Sequence, residues 1–252
     1  MSNTQRVDKT LFEGSHYLGK PADHTDLLVQ RRIEILKNFN NFWNSDATLL
    51  DIGCGNGNTV LQVAHAFKRA YGLEYVADHE AEFHKLKETH NANNAQWVEH
   101  DISKSSFSPA VDRLISFEVI EHLPSEEAVK NYAASLVSGG FFAISVPNKW
   151  WIFETHGASL PLLPWNRVPF FSWLPKPLHE KWALARIYTK GRIRKLLEES
   201  GLEVMEMHYV TAPMDVVKWR PLQYVLRKYI FGNHTTRWPF KAVSIMIFGK
   251  KN

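Results

Sequence analysis

Three glycines alternate directly behind an acid in the run Thr48-Leu49-Leu50-Asp51-Ile52-Gly53-Cys54-Gly55-Asn56-Gly57. The apolar part reads as a buried strand, and the glycines let the backbone turn tightly into a helix that begins near Asn58. Such a turn leaves bare backbone that a ligand can approach closely. Pyrophosphate sites of dinucleotide-binding enzymes space their glycines G-x-G-x-x-G. Here the spacing is G-x-G-x-G, and the Asp51 carboxylate at the mouth of the turn repels phosphate in a poorly solvated cleft. It suits a ligand that carries a cation. Cys54, the chain's one cysteine, fits the turn through its small size rather than through thiol chemistry.

A second acid, Glu74, closes the apolar run Ala70-Tyr71-Gly72-Leu73, 23 residues after Asp51. At the carboxyl end of a second parallel strand, a carboxylate accepts hydrogen bonds from both hydroxyls of a ribose, because neighbouring strands point at one crevice. The run Gln96 to Glu99 reads as a third strand, followed by His100-Asp101-Ile102. The fourth strand, Val111 to Phe117, leads into Glu118-Val119-Ile120-Glu121-His122-Leu123. If that segment is helical or nearly so, Glu118, Glu121 and His122 project on one side and bring two carboxylates and an imidazole within reach of one ion.

The stretch Asp51 to Gly57 resembles the first motif of the class I methyltransferases that use S-adenosylmethionine (SAM), and the resemblance runs from about Asp23 to Gly201 and returns in the final strand. It implies SAM as the cofactor. Gly53, Cys54, Gly55 and Gly57 then pack against its methionine part, and Asp51 holds the amino group, often by way of water. Tyr75 stands beside the ribose acid Glu74. Asp101 accepts from the adenine amine while Ile102 packs on the ring, and Phe117 and Glu118 line the same pocket. The E-x-x-E-H segment is similar to that of the ubiquinone-biosynthesis O-methyltransferases and of small-RNA 2′-O-methyltransferases. There it is associated with a divalent cation such as Mg2+, and another histidine often completes the set, for which His179 is the nearest match. In metal-free relatives the first acid lines the cofactor pocket and the histidine serves as base. Two readings therefore stand side by side: His122 as catalytic base with His179, or a metal held by Glu118, Glu121 and His122.

The elements that must position these residues follow from alternation. Strand, helix and strand repeat five times with short connections, the mark of an α/β, Rossmann-like doubly wound sheet. We expect a seven-stranded sheet, mostly parallel with an antiparallel last strand, in one domain. Residues 23–148 form its SAM-binding core, and 189–211 with 240–249 its C-terminal half. A helix over Leu27 to Trp43 precedes the first strand, and a helix from Ser125 to Val137 stops at Gly139-Gly140. His16 and Tyr17 are candidate lid residues. Residues 149–188 form an aromatic, proline-rich lid, with Trp150, Trp151, Trp165 and Trp173 among prolines such as Pro161 and Pro164. Residues 212–239 form a basic helical insertion with Leu222, Val225, Leu226, Tyr229 and Ile230 at helical spacing.

With 252 residues, 44% hydrophobic and 22% charged, the chain suits one such domain. A single cysteine excludes an internal disulfide framework, and residues Met1 to Lys9 lack the apolar core of a secretory signal. No apolar run reaches the length of a spanning helix. A cytoplasmic protein follows, with peripheral membrane contact as an extension. Eight basic residues from Pro213 onward face Asp215 alone, a net +7, which leaves −3 for the rest of the +4 chain. That tail fits a membrane surface, a phosphorylated substrate or a nucleic acid, or is a solvated face. The expected activity is SAM-dependent O-methylation of a small apolar, aromatic, prenylated or lipid-like acceptor. The alternatives are an RNA methyltransferase that uses the basic tail, disfavoured because no RNA-binding module is visible, and an inactive binding protein of the same fold.

Overall fold

The computed structural model describes residues 12–13, 16–17, 26–160 and 168–252. The side chains of His16 and Tyr17, and Pro161, Pro164 and Trp165 of the expected lid, lie outside the described residues. A two-strand hairpin, β1 (Phe12–Glu13) and β2 (His16–Tyr17), comes first. Helix α1 (Leu27–Lys37) is started by Asp26, whose side chain accepts from the Leu28 amide at 2.7 Å. The expected helix to Trp43 ends early: the chain leaves helical geometry after Asn38, and Asn40–Phe42 form a 3-10 turn. Phe39 and Phe42 still reach the core, and the ring centroids of Phe39 and Phe248 are 4.7 Å apart. Apolar periodicity therefore outlasts the helix.

The central strand β3 (Thr48–Ile52) pairs in parallel with β4 (Arg69–Glu74) on one side and β6 (Val111–Phe117) on the other. Its burial on both faces explains why it reads as an unbroken apolar run. Helices α2 (Asn58–Val63), α3 (Glu80–Thr89) and α4 (Val129–Ser135) connect β3, β4, β5 (Ala95–Glu99), β6 and β7 (Leu136–Pro147). Ser125 accepts from the Glu127 amide at 3.2 Å, as an N-terminal cap should, but Gly139 and Gly140 lie inside β7 instead of ending a helix. After β7 come α5 (Lys176–His179), α6 (Lys190–Glu199), β8 (Leu202–Thr211), α7 (Arg220–Val225), β9 (Thr235–Thr236) and β10 (Ala242–Lys251).

The sheet order is β5-β4-β3-β6-β7-β10-β8-β9. β10 is antiparallel to both β7 and β8, so the reversed last strand is as expected. The sheet has eight strands, not seven, because Thr235 and Thr236 add a short edge against Val210 and Tyr209. The strand order reverses between β3 and β6, where the carboxyl ends open a crevice. Apolar cores cover both faces: Tyr132, Tyr188 and Leu197 on one, Leu36, Phe42 and Phe83 on the other. A small third core joins Trp151 and Phe153 of the insertion after β7 to Met214, Leu226 and Phe231 of the basic insertion. The first insertion is pinned at its base, where Lys149 donates to the Tyr188 carbonyl at 2.9 Å and Tyr188 donates to that of Pro147 at 3.0 Å. Among the described residues no helix is long and apolar enough to cross a membrane.

Candidate functional site

The turn after β3 is held open by its glycines. Gly53, Gly55 and Gly57 have φ of +70°, +55° and +85°, in the left-handed region that side chains disfavour. A Cβ at Gly53 would stand 2.4 Å from Val119 Cγ2, so the turn and the segment after β6 are packed backbone against side chain. The amides of Gly53 and Cys54 both donate to the Leu73 carbonyl, at 2.8 and 3.0 Å, which ties the turn to β4.

Asp51 is not at the mouth of this turn. Its side chain is buried beneath it, outside the cavity wall, with Oδ2 lacking a hydrogen-bond partner. Burial, and then the charge of Glu74, push its carboxyl well above the ordinary carboxylate range. Gly57 also lies behind the wall, because its place is taken up in packing against Phe83.

Gly53, Cys54 and Gly55 do line a cavity of about 1200 Å³ at the crevice. Glu74 stands across from them: its Oε2 accepts from the Gly55 amide at 2.8 Å, and its Oε1 from the amides of Tyr75 and Val76 at 2.8 and 3.0 Å. Tyr75, Asp101 and Ile102 continue the wall. Burial acts to raise the Asp101 carboxyl, but hydrogen bonds from Ser103 and the Lys104 charge 3.0 Å away outweigh it and hold the group below its usual range. The Ile102 carbonyl accepts from Asn131 Nδ2 at 2.8 Å, which holds that loop against α4.

The far wall comes from the end of β6 and from the insertion after β7. Phe117, Glu118 and His122 line it, joined by Glu154, Thr155 and His156. Only Ile120–His122 forms a helical turn, of 3-10 type, and Glu118 itself has φ of +59°. Glu118 is committed to other partners: its Oε1 meets Arg32 at 2.8 Å and accepts from Ser145 Oγ at 3.1 Å. The expected trio of Glu118, Glu121 and His122 therefore does not assemble. Glu121, His122 and His156 do, each with one donor atom within 4.8 Å of the others. His156 Nε2 is 3.6 Å from Glu121 Oε1, and its ring stands edge-on to His122 with centroids 4.7 Å apart. The Glu121 carboxyl is buried. Burial and the nearby Glu118 push that carboxyl well up.

His179, expected beside His122, is elsewhere. Its Nε2 is 2.7 Å from Glu154 Oε2, both side chains are buried, and the ring does not line the cavity. The sequence reading missed His156 and the role of Arg32. The adjacent Arg31-Arg32 on the apolar stripe of α1 was the available signal, since charged residues at buried positions need partners. Arg31 finds the carbonyls of Thr211, Ala212 and Phe231.

A family model described as a methyltransferase domain matches residues 27–207. A search of curated proteins gives no significant match. Solved structures share the fold. A SAM-dependent methyltransferase from Clostridium acetobutylicum is 13% identical with a TM-score of 0.59, over 90% of this chain and 93% of that one. The N-methyltransferase NodS from Bradyrhizobium japonicum, solved with S-adenosylhomocysteine (SAH), is 12% identical with a TM-score of 0.56, over 90% and 89%. Magnesium protoporphyrin IX methyltransferase from Synechocystis, also with SAH, is 16% identical with a TM-score of 0.54, over 89% and 81%. At these identities the likeness is one of fold; the family rests on the sequence model, which spans β3, the glycine turn and every strand through most of β8. The chain belongs to the methyltransferase domain family.

Proposed function

We propose that the protein transfers a methyl group from SAM to an oxygen of a small apolar, aromatic, prenylated or lipid-like acceptor. The observation that carries this reading is the composition of one cavity: Glu74 and Asp101 at adjacent strand ends on one side, and His122 with His156 on the other. When bound, SAM supplies an electrophilic methyl on a cationic sulfur. The chain's residues fit such a ligand. Glu74 and Asp101 offer carboxylates to ribose hydroxyls and to an exocyclic amine, and Ile102 offers an apolar wall. Asp51, buried beneath the glycine turn with an unsatisfied oxygen and its carboxyl pushed up by burial, would be drawn to ionise by the ligand's cationic end.

Methyl transfer is an in-line displacement, so the protein's work is placement and exclusion of water. His122 and His156 would hold an acceptor hydroxyl and take its proton on an imidazole nitrogen as methyl transfer makes that oxygen an ether and releases SAH. Thr155 Oγ1, 3.1 Å from His156 Nδ1, holds that ring's position.

A second reading has its own observation. Two imidazoles and the buried Glu121 carboxyl form a donor set that fits a transition-metal dication such as Zn2+ or Fe2+ better than the oxygen-seeking Mg2+. Glu121, His122 and His156 would hold it, and it would act as a Lewis acid on an acceptor oxygen. The similarity to the ubiquinone-pathway O-methyltransferases supports an oxygen acceptor, and the apolar walls from Trp151, Phe153 and Met214 support an apolar one.

Incubation with methyl-labelled SAM and a cell extract, followed by phase separation, tests the reading. Label in the organic phase is the expected result. Label confined to nuclease-sensitive or protease-sensitive material, or no transfer at all, overturns it.

A further inference from the structure

The basic insertion packs Val217, Leu226 and Phe231 inward on the third core and turns most of its other large apolar side chains outward. Helix α7 and the π-type turn that follows it, Leu226–Ile230, contain no buried residue. Polar bonds within the insertion hold the helix to the stretch before it: Gln223 Nε2 donates to the carbonyls of Met214 and Val217, and Arg227 Nε donates to that of Pro213. Trp219, Tyr224, Tyr229 and Trp238 are 67, 62, 72 and 59% exposed, and Leu222, Val225 and Ile230 are exposed among them. Tyr229 and Ile230 border the same groove as Arg237 and Trp238, so the helix and the stretch before β10 make one surface. A monomeric soluble protein rarely leaves so many large apolar groups contiguous in water.

The charge on this surface says what covers it. Residues 213–241 hold six cations and one acid. The acid, Asp215, is already paired with Arg227. Lys228 stands 5.6 and 5.4 Å over the rings of Tyr224 and Tyr229. The Trp and Tyr residues combine an apolar body with a polar tip, and interleaved Lys and Arg suit a negative surface. Exposed Leu222, Val225 and Ile230 have no use against nucleic-acid bases, which are held by aromatic stacking and hydrogen bonds. They do have a use in hydrocarbon.

We propose that residues 216–240 form a docking surface for an anionic lipid bilayer. The loop Pro213 to Val216, which lines the cavity, leads directly into Trp219, so docking sets one wall of the cavity against the bilayer side of the protein. The inference deepens the reading of an apolar acceptor but is tested without cofactor or acceptor, so its failure is distinct from failure of that reading.

The experiment is co-sedimentation of the full chain with vesicles of phosphatidylcholine, alone or mixed with phosphatidylglycerol. Binding to the mixed vesicles should be at least about tenfold stronger than to the neutral ones and should fall at high salt. The double variant Trp219→Ser/Tyr229→Ser should lose at least about tenfold of that binding while keeping the unfolding midpoint of the parent. Arg220→Glu/Arg237→Glu should lose the preference for anionic lipid. Equal binding to both vesicle types overturns the proposal, as does undiminished binding by the aromatic variant. So does a dimer that the aromatic variant dissociates without any vesicle binding, or retention on an RNA oligonucleotide without vesicle binding.

Discussion

Arg32 of α1 and Glu118 at the end of β6 meet at 2.8 Å, with side chains only 6 and 17% exposed. The pair ties the first helix of the domain to the strand end that leads into Glu121 and His122, and it holds Glu118 in a left-handed backbone that costs about 1–3 kcal/mol. Arg32→Met should lower stability by about 3 kcal/mol, because it strands a mostly buried carboxylate. Adding Glu118→Gln to that variant should restore about 1 kcal/mol or more, read as a coupling in a denaturant double-mutant cycle. Additive losses would show that the two side chains do not depend on each other.

Gly53→Ala should cost about 2 kcal/mol or more, since it adds a left-handed penalty of about 1–2 kcal/mol to a 2.4 Å overlap with Val119. Val119→Ala in the same chain should recover the steric part and leave the backbone part. Urea melts of the two variants and of Val119→Ala alone separate the two contributions, and no recovery would mean that the turn itself has moved.

Asp51 gives a pH dependence of defined sign. Its carboxyl is raised in the folded ligand-free protein, so folding favours the protonated form. The contribution to stability is present below the ordinary carboxylate range and is lost as pH rises through the elevated value. Asp51→Asn removes that loss. The variant's melting temperature should therefore gain on the parent's as pH rises across this window, and a constant gap would contradict the burial argument. The same substitution should weaken SAH and SAM binding about tenfold, because an amide cannot ionise to meet the ligand's cationic end.

His122→Gln and His156→Gln should each lower kcat by about 10² to 10⁴ while leaving SAH affinity within about twofold. If a divalent cation is needed, exhaustive chelation should abolish activity and added metal should restore it; activity that survives chelation leaves imidazole as the base. Unchanged kcat in both variants would remove the acceptor-side assignment.

Much of this was legible locally. Val111–Phe117 reads as a strand to the residue because its apolar side chains are buried on both faces, and the glycine turn is legible because three alternating left-handed positions are least costly for glycine. The sheet's reversed last strand was likewise foreseen. What the sequence concealed depends on contacts between distant segments. The E-x-x-E-H spacing suggests one face, but Glu118 is committed to Arg32, and nothing near Glu118 announces that partner. His156 sits in an aperiodic insertion, so its approach to Glu121 and His122 follows only from how that insertion folds back. His179 looked the better histidine by position, yet Glu154 claims it within the insertion's own interior.

The most direct test of the account is calorimetric titration of SAH into the purified chain and into Glu74→Ala. We predict one site per chain for the parent and at least about tenfold weaker binding for the variant, since two ribose hydroxyls lose a charged acceptor. No binding to the folded parent, or equal binding by Glu74→Ala, would contradict the assignment of this cavity as the cofactor site.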